Sequence, residues 1–480
     1  MRDKVLATKI KKQFLKEIIK KDYVVSCSLV GSYLDKKKIS TKSDIDIVVI
    51  TKTLNKLNFQ IITKLVEKQF LKSRLFNKYK LFINTSFGPL KFKIKNTLVI
   101  HLMIYDIKSH LKHTIESPFT CFDWERSNVY EGLRLKNIFP VGNLQYRDFN
   151  VSRRGLKNYY DNLKLQKIEY KVYQFKKNNY YTKTKFKKIS KKDSYEFMYH
   201  IIKNLLCNLY KFINQKNEIM REFEFKKLFL EITSNDKIFY DDFCKIKYAK
   251  YKNLKNLSGS KENYIKKSNS FIKKFEKYFR SYFAEQKKII FMRHAKTTVH
   301  KKIFLGQKLN PNIIKIGKNY NKFKDIDSCF SSPLKRSINT AKKYYNKKIY
   351  ISDNLLEIDY GRVEGKDYKY LINNFNHINL KWNKNKDPKF PLGENYSDVL
   401  KRLNRFININ LYKQSNQNTL VVTHNVLLRC LIGNHFKIKK NLWYRINIKY
   451  LESFEFVIIK NSLVSNINRN ILFIPYGLNL

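Results

Sequence analysis

Apolar positions recur along the first hundred residues at two different spacings. Tyr23–Val30, Ile45–Ile50 and Thr97–Tyr105 are short, largely apolar runs, which is typical of buried strands. Leu54–Phe76 has apolar residues spaced near 3.6 positions apart, and this spacing predicts an amphipathic helix. Strands that alternate with a helix predict a small α/β domain, which we place at residues 1–110.

The pattern changes to helices in the middle of the chain. From about Val151 to Phe283 strand signals fade, and residues 111–286 are predicted to be mostly helical. In the clearest helix, Asp193 or Ser194 is placed to cap the first turn. One face of that helix carries the apolar residues Phe197, Ile201, Leu205, Leu209 and Phe212.

One segment within the middle region interleaves Lys with Tyr and Phe, from Lys171 to Lys192. Two interpretations stay open. The first is a solvated, mobile connection. The second is a surface that combines charge with aromatic stacking and binds single-stranded nucleic acid.

Strands and helices alternate again after the last predicted helix, so residues 287–480 are predicted to form a second α/β domain. Lys288–Met292 is a short buried-strand pattern, and Arg293 and His294 follow at its carboxyl end. Open α/β sheets place ligand sites at that end of their strands. The Arg-His pair is therefore a candidate site.

Further motifs follow the Arg-His pair in order. They are Gly306-Gln307 with Leu309-Asn310-Pro311, Ser331 to Arg336 followed by Thr340-Ala341, Leu356 to Gly365, Pro391 to Glu394, and Leu420 to Asn425. Together they resemble the histidine phosphatase superfamily, also called the phosphoglycerate mutase-like family, over about residues 287–460. The resemblance implies an α/β/α sandwich for the C-terminal domain.

The resemblance also implies roles for single residues. His294 would take the phosphoryl group as a covalent intermediate, and Glu357 would protonate the leaving group. Arg293, Arg336 and His424 would bind the phosphate oxygens, with His424 also counted as catalytic. Chemistry agrees with these roles, because nearby Arg cations disfavour protonation of an imidazole and guanidinium forks match phosphoryl oxygens.

The C-terminal domain is therefore predicted to hydrolyse a phosphomonoester of a small phosphorylated metabolite, with no cofactor. The compact spacing from His294 to His424 favours a phosphatase. A phosphoglycerate mutase-type phosphotransferase is the alternative.

The N-terminal domain carries a second pattern. Gly31 and Ser32 follow the first predicted strand, and Asp44 and Asp46 open the next one. Two carboxylates spaced by one residue on a strand point to the same face, which suits a shared Mg²⁺. The pattern resembles the nucleotidyltransferase superfamily related to polymerase beta, over about residues 4–106. It implies a small mixed-sheet domain that binds a nucleoside triphosphate at the Gly-Ser turn and Mg²⁺ at the two aspartates.

The third carboxylate that this superfamily places on a later strand is not evident. The strand Leu98–Tyr105 has His101 there, and Asp106 lies at its end. Three alternatives stay open. His101 serves as a base or metal ligand, or Asp106 takes the place of the third carboxylate, or the domain binds nucleotides with little catalysis. By analogy at the level of fold, the helices of residues 111–286 would supply an acceptor-binding wall.

Composition adds one more candidate partner. The 480 residues include 98 Lys+Arg and 39 Asp+Glu, a formal net charge of +59. Such a chain attracts polyanions, so nucleic acid is a candidate partner, and a basic nucleic-acid-binding protein with degenerate catalytic domains is a further alternative. However, Lys is spread along the whole chain together with abundant Asn, Ile and Tyr, as an A+T-rich genome also produces.

The remaining features concern location. The six cysteines form no C-x-x-C pair, which indicates reduced thiols. No apolar stretch approaches the ~20 residues needed to span a bilayer, and the N-terminus lacks the apolar core of a signal peptide. The sequence therefore predicts a bifunctional cytoplasmic enzyme of the multidomain α/β class that makes no membrane contact.

Overall fold

The computed structural model describes most of the chain in thirteen stretches. They are residues 8–34, 43–73, 79–88, 96–176, 179–252, 260–283, 287–299, 302–315, 323, 325–413, 418–459, 462–467 and 469. The chain divides into two compact units. The first unit comprises residues within 1–144 and 148–281, and the second comprises residues within 145–147 and 282–479.

A five-stranded mixed sheet forms the centre of the first unit, with the strand order β3-β4-β2-β1-β5. Its strands are β1 (Val24–Val30), β2 (Ile45–Thr51), β3 (Lys80–Asn84), β4 (Thr97–Asp106) and β5 (Tyr130–Gly132). β2, β3 and β4 run parallel, whereas β1 is antiparallel to both of its neighbours. β1, β2 and β4 are buried along most of their length, which explains their continuous apolar runs.

The register of β2 fixes what lies beside its first residues. Asp46 is opposite Val30 in the antiparallel pair with β1, and opposite His101 in the parallel pair with β4. Gly31 follows Val30 directly. Asp46 therefore lies between the turn after β1 and the histidine of β4.

Helices make up most of residues 111–286, as predicted. Helical segments up to residue 282 are Lys11–Leu15, Lys16–Ile19, Gly31–Leu34, Lys56–Leu71, Ile107–Glu116, Pro118–Trp124, Leu135–Ile138, Tyr146–Leu165, Lys191–Asn214, Glu222–Ile232, Lys237–Lys252 and Lys261–Tyr282. Their apolar faces are rich in aromatic side chains, and Phe229 packs against the rings of Phe243 and Phe271. Strand β5 also comes from this stretch of the chain and joins the first sheet.

The helix Lys191–Asn214 begins earlier than the sequence suggested. Ser190 is its N-cap: the Ser190 hydroxyl accepts from the Asp193 backbone N–H, and the Asp193 carboxylate accepts from the Ser190 N–H. This reciprocal pair is a capping box, so the predicted caps Asp193 and Ser194 are wrong. Asp193 is the third-position acid of the box. The predicted apolar face of the helix is buried.

A β-hairpin occupies most of the Lys-rich segment for which a solvated connection was one interpretation. Strands β6 (Lys167–Lys176) and β7 (Asn179–Lys188) pair in antiparallel register along their whole length. Phe87 and Lys171 exchange two backbone hydrogen bonds of 2.8 Å. The hairpin is therefore a regular element anchored on the chain that follows β3.

A six-stranded sheet forms the centre of the second unit, with the order β10-β9-β11-β8-β12-β13. The first four strands in this order run parallel to one another. β12 is antiparallel to both of its neighbours, β8 and β13. The strands are β8 (Lys287–Arg293), β9 (Ser328–Ser331), β10 (Ile349–Ile351), β11 (Thr419–Thr423), β12 (Ser453–Ile459) and β13 (Ser462–Ser465).

Helices and short helical turns connect these strands. They are Lys335–Tyr344, Asp353–Leu355, Gly361–Val363, Tyr368–Asn383, Tyr396–Phe406, Ile407–Leu411, Asn425–His435 and Lys440–Arg445. The core of this unit includes the fully buried rings of Phe291, Phe406 and Trp443. With mixed sheets, helices and more than one compact unit, the chain has the predicted multidomain α/β class.

Two helical glycines should respond in opposite directions to the same substitution. A Cβ on Gly433 would overlap the buried indole of Trp443, whereas a Cβ on Gly155 would meet nothing within 4 Å. We expect Gly433→Ala to lower the free energy of unfolding by about 1–3 kcal/mol through overpacking. Gly155→Ala should raise it by about 0.5–1 kcal/mol, because alanine favours a helix. Scanning calorimetry measures both shifts, and a stabilised Gly433→Ala would contradict the packing described.

Candidate functional site

Two neighbouring parallel strands bring the predicted phosphoryl-transfer residues to one edge of the second sheet. Arg293 at the end of β8 is paired in register with Thr423 at the end of β11. His294 and His424 follow directly, and the centroids of their rings are 5.1 Å apart. The carboxyl edge of the sheet therefore holds both histidines, as the position of the motifs predicted.

His294 has the protonation state that a nucleophile needs. Its side chain is 4% exposed, and its Nδ1 is 2.7 Å from the carbonyl oxygen of Ala295. Because a carbonyl only accepts, Nδ1 carries the proton and Nε2 has a free lone pair. Burial, with Arg336 and Arg293 nearby, lowers the pKa of His294 to about 3. Nε2 is therefore unprotonated near neutral pH.

His424 is a neutral hydrogen-bond donor. Its Nδ1 accepts from Nε of Arg336 at 3.3 Å, and its Nε2 is 2.8 Å from the hydroxyl of Ser332. Since Nδ1 accepts, the proton lies on Nε2. Burial, followed by the charge of Arg336, lowers the pKa of His424 well below its usual range. Ser332 belongs to a motif found in the sequence, but its contact with His424 was not foreseen.

Arg336 connects the site to the predicted substrate-side loop. Its side chain is fully buried. Nη1 donates to the carbonyl oxygen of Leu309 at 2.9 Å, and Nη2 donates to that of Gly306 at 2.7 Å. The carboxylate of Glu364 holds the same loop, because it accepts from the backbone N–H groups of Gln307 and Leu309.

Arg293 has a donor that its neighbours leave unused. Nη1 donates to the carbonyl oxygen of Ile448, while Nε is buried and has no hydrogen-bond partner in the described parts of the chain. An unpaired buried donor costs free energy, so an anionic oxygen beside it would be stabilised. The ring of Tyr450 covers the guanidinium, with its centroid 3.9 Å from Cζ.

Tyr450 is a part of the site that the sequence did not indicate. Its ring centroid is 5.9 Å from that of His294, and the residue is 42% exposed. It therefore forms part of the rim between the nucleophile and solvent. It lies in a loop outside the motifs, and a lone tyrosine in a chain with 33 of them carries no signal of its own.

Glu357 lies at the amino end of the helix Asn425–His435. It is 5% exposed, and its Oε1 accepts from the backbone N–H groups of Ile358 at 3.0 Å and Val426 at 3.2 Å. The positive end of a helix favours a carboxylate. Because that helix begins directly after His424, the predicted acid lies on the same side of the sheet edge as the two histidines.

Arg402 positions the Glu357 segment, and sequence analysis missed it. Its guanidinium donates to the carbonyl oxygens of Leu356 and Glu357 and forms two hydrogen bonds with the carboxylate of Glu394, at 2.9 and 3.1 Å. In the sequence, Arg402 is one basic residue of an amphipathic helix, and nothing in the sequence distinguishes it from an exposed surface residue. Asn395 is the N-cap of the same helix.

The predicted residues of the first unit also lie near one another. Gly31 has a φ of +73°, and a Cβ there would collide with the carboxylate of Asp46. Nδ1 of His101 is 3.0 Å from Oδ1 of Asp46, and its Nε2 is 3.0 Å from the carbonyl oxygen of Ser86. His101 therefore contacts the predicted metal residue directly. Ser32 is exposed on the turn.

Asp106 does not supply a third carboxylate to this site. It is paired in register with Thr51, at the far end of β2 from Asp46. Its carboxylate accepts from the Ser109 backbone N–H and the Tyr180 hydroxyl. The alternative in which Asp106 substitutes is therefore wrong. In the described part of the chain, no group of three His, Cys, Asp or Glu side chains is arranged to hold a metal ion.

A cavity of about 810 Å³ opens beside Gly31 and Ser32 within the first unit. Its other walls come from helices of residues 111–286, including the polar side chains of Lys203, Asn204 and Asn208. That these helices bind an acceptor stays a prediction. Among the residues with a described structure, no helix has the length and apolar content needed to cross a bilayer.

Family models match two regions of the chain, one near each end. Residues 289–463 match the Histidine phosphatase superfamily (branch 1), and residues 11–125 match the Nucleotidyltransferase domain. Both resemblances seen in the motifs are therefore confirmed.

Individual relatives are similar to the C-terminal part. A protein named "Putative phosphoserine phosphatase 2" from Hydrogenobacter thermophilus is 24% identical over 159 residues, which are 30% of this chain and 77% of that protein. A phosphoserine phosphatase structure from Entamoeba histolytica has 17% identity and a TM-score of 0.33, and covers 38% of this chain and 95% of its own. An alpha-ribazole phosphatase structure from Shigella flexneri has 17% identity, the same coverage and a TM-score of 0.32.

Buried histidines should make the second unit sensitive to acid. Burial lowers the pKa of His435 to about 4 and that of His294 to about 3, whereas an unfolded histidine titrates near pH 6.5. The unfolded chain therefore binds protons that the native state does not bind, and the free energy of unfolding falls as the pH drops below about 6.5. From pH 7 to pH 5 we expect a loss of roughly 2 kcal/mol for each such histidine.

Denaturant unfolding at pH 5, 6 and 7 measures this dependence. His435→Gln should remove the part of the pH dependence that comes from that one residue. The comparison uses only the slope of the free energy of unfolding against pH, so any effect of the substitution on stability at pH 7 does not matter. The exposed His377→Gln is the matched control and should keep the full slope. An unchanged slope in His435→Gln would contradict the neutral state assigned to that side chain.

Proposed function

Because residues 289–463 form a histidine phosphatase domain, we propose that the second unit hydrolyses a phosphomonoester through a phosphohistidine intermediate. The observation that carries this proposal is the state of His294. Its Nε2 is unprotonated and lies at the same sheet edge as Arg293, whose buried Nε has no partner in the described structure. A nucleophile beside an unused cationic donor suits a phosphoryl group.

In the first step, Nε2 of His294 attacks phosphorus and the bond to the ester oxygen breaks. The carboxyl group of Glu357, protonated for this step, gives its proton to the departing oxygen. Arg293 and Arg336 donate hydrogen bonds to the phosphoryl oxygens, where charge is spread in the transition state. His424 donates its Nε2–H to one of these oxygens in place of the Ser332 hydroxyl. The products are an alcohol and a phosphorylated His294.

In the second step, a water molecule attacks the phosphohistidine. The Glu357 carboxylate accepts a proton from the water, so it returns to its acid form. The bond between phosphorus and Nε2 breaks, and His294 recovers its lone pair while inorganic phosphate leaves. Apart from the substrate and water, both steps use only side chains of the protein.

The substrate class we propose is a small phosphorylated metabolite. The opening to solvent is bounded by the half-exposed ring of Tyr450, and the relatives that match this region carry the names of phosphatases acting on small phosphate esters. Transfer of the phosphoryl group to a second hydroxyl rather than to water would identify a mutase-type phosphotransferase instead.

The test is hydrolysis of 4-nitrophenyl phosphate by the full-length protein in the presence of EDTA. We expect turnover that His294→Ala reduces at least about 10³-fold, because the nucleophile is lost. The exposed His377→Ala should retain wild-type turnover. Equal activity in the two variants would refute the assignment of His294. Protein labelled by a ³²P-phosphomonoester and trapped by a rapid alkaline quench, which preserves phosphohistidine, only in the wild type would support the intermediate.

We also propose that the first unit binds a nucleoside triphosphate with Mg²⁺ and transfers its nucleotidyl group. Mg²⁺ is commonly held by one or two carboxylates together with water and substrate phosphates, and Asp44 and Asp46 fit that donor set. When bound, the ion would neutralise triphosphate charge. His101 orients Asp46 through Oδ1, and the exposed Ser32 lines the cavity.

Isothermal titration calorimetry with a non-hydrolysable nucleoside triphosphate tests this second site. Binding should require Mg²⁺. Asp46→Asn should weaken binding at least about tenfold, because one of the two carboxylates that would hold the ion is lost. Asp22→Asn, an exposed carboxylate of the same unit, should bind as the wild type does. Binding that is equal with and without Mg²⁺ would argue against the metal site. In a separate assay with the natural nucleoside triphosphate, Mg²⁺-dependent binding without pyrophosphate release would indicate a nucleotide-binding domain without transfer.

A further inference from the structure

The hairpin of the first unit concentrates one sign of charge. Its two strands contain seven lysines and one acidic residue: Lys167, Lys171, Lys176, Lys183, Lys185, Lys187 and Lys188, with Glu169. Within the described parts of the chain, these lysines form no ion pair. The charge is therefore free to act on a partner.

The outer strand β7 presents this charge in a regular array. All its residues except Tyr180 are exposed, and β6 is its one strand neighbour in the described structure. Lys183, Lys185 and Lys187 lie on one face of β7 and are about 6.7 Å apart, the spacing of alternate strand residues. A row of cations at this spacing suits a chain of phosphates.

Two aromatic rings accompany the lysines on β7. Tyr181 is 54% exposed and lies on the same face as the lysine row, and Phe186 is 62% exposed and lies on the opposite face. Neither ring contacts another ring in the described structure. Lysines on an edge strand commonly prevent it from pairing with the strands of other chains. Exposed aromatic rings would promote such association, so protection of the edge does not explain them. Lysines with exposed rings are instead typical of surfaces that bind unpaired bases.

We propose that β7 binds single-stranded nucleic acid. Lys183, Lys185 and Lys187 contact successive phosphates, and an unpaired base stacks on Tyr181, which lies on the same face of β7 as the lysine row. Charge complementarity selects a polyanion, and the exposed rings favour a single strand over a duplex, whose bases are already stacked on one another.

The hairpin also places a bound strand beside the site of the first unit. Phe87 pairs with Lys171 of β6, and the preceding residue, Ser86, holds His101 through its carbonyl oxygen. The end of a bound strand is therefore a candidate acceptor for nucleotidyl transfer. This last step rests on the proposed transferase function, whereas the binding itself does not.

Fluorescence anisotropy with a labelled 20-nucleotide single strand, in EDTA and without nucleotide, tests the binding on the full-length protein. The triple variant Lys183→Gln, Lys185→Gln, Lys187→Gln should bind at least about tenfold more weakly. Its slope of log affinity against log salt should be smaller by about 2, because three phosphate contacts are lost. The matched control is Lys342→Gln, Lys343→Gln, Lys347→Gln, three exposed lysines of the second unit with the same change of net charge, and it should bind as the wild type does.

A second variant tests the stacking. Tyr181→Ala should weaken single-strand binding at least about fivefold and leave binding to a duplex of equal length unchanged. Phe186→Ala, which removes a comparably exposed ring on the opposite face of β7, is the matched control and should bind as the wild type does. Circular dichroism establishes that each variant is folded. Equal weakening by the control triple would overturn the proposal in favour of diffuse attraction by the whole chain. Equal affinity for duplex and single strand, with no effect of Tyr181→Ala, would overturn the single-strand assignment. Because EDTA removes Mg²⁺, failure of nucleotidyl transfer leaves these results unaffected.

Discussion

The buried guanidinium of Arg336 joins three parts of the second unit that lie far apart in the sequence. Its three nitrogens donate to His424 and to the carbonyl oxygens of Gly306 and Leu309. A buried cation is stable only when its donors are paired, so the loop and the strand ends are held in one arrangement. The same charge disfavours protonation of His294 and His424. Structural support and chemical activation therefore come from one side chain.

The two sites differ in how they meet charge. In the second unit His294, Arg336 and Glu357 are buried, and the proposed phosphoryl site takes its cations and hydrogen-bond donors from the chain itself. In the first unit Ser32 is exposed and Asp46 is only half-buried, so the carboxylates there face solvent and suit an ion that arrives with its substrate. The proposed phosphoryl site is therefore formed by the protein alone, whereas the proposed nucleotide site would be completed by the ion and its substrate.

The sequence was most informative where chemistry and strand ends coincide. Arg293-His294 and Thr423-His424 follow buried apolar strands, so both the motifs and their common sheet edge were predictable. Tyr450 and Arg402 were not, because each is a single residue whose role arises only when distant segments meet. The hairpin was missed because β7 is exposed on both faces and has no apolar alternation to mark a strand. Asp106 was a wrong candidate ligand because the parallel register of β2 and β4 decides which residue lies beside Asp46. That residue is His101, and Asp106 lies beside Thr51.

Strand β5 links the stability of the first sheet to the order of synthesis. β1 lies between β2 and β5, and Cys27 pairs with Val49 on one side and Glu131 on the other. A nascent chain that ends before residue 130 has one edge of β1 without a partner, and open apolar edges are the sites where strands of different molecules join. The long sequence separation of the closing contact also slows folding. The domain can thus complete its sheet only after the helices that follow β4 have been made, so residues 1–110 alone would be an aggregation-prone fragment.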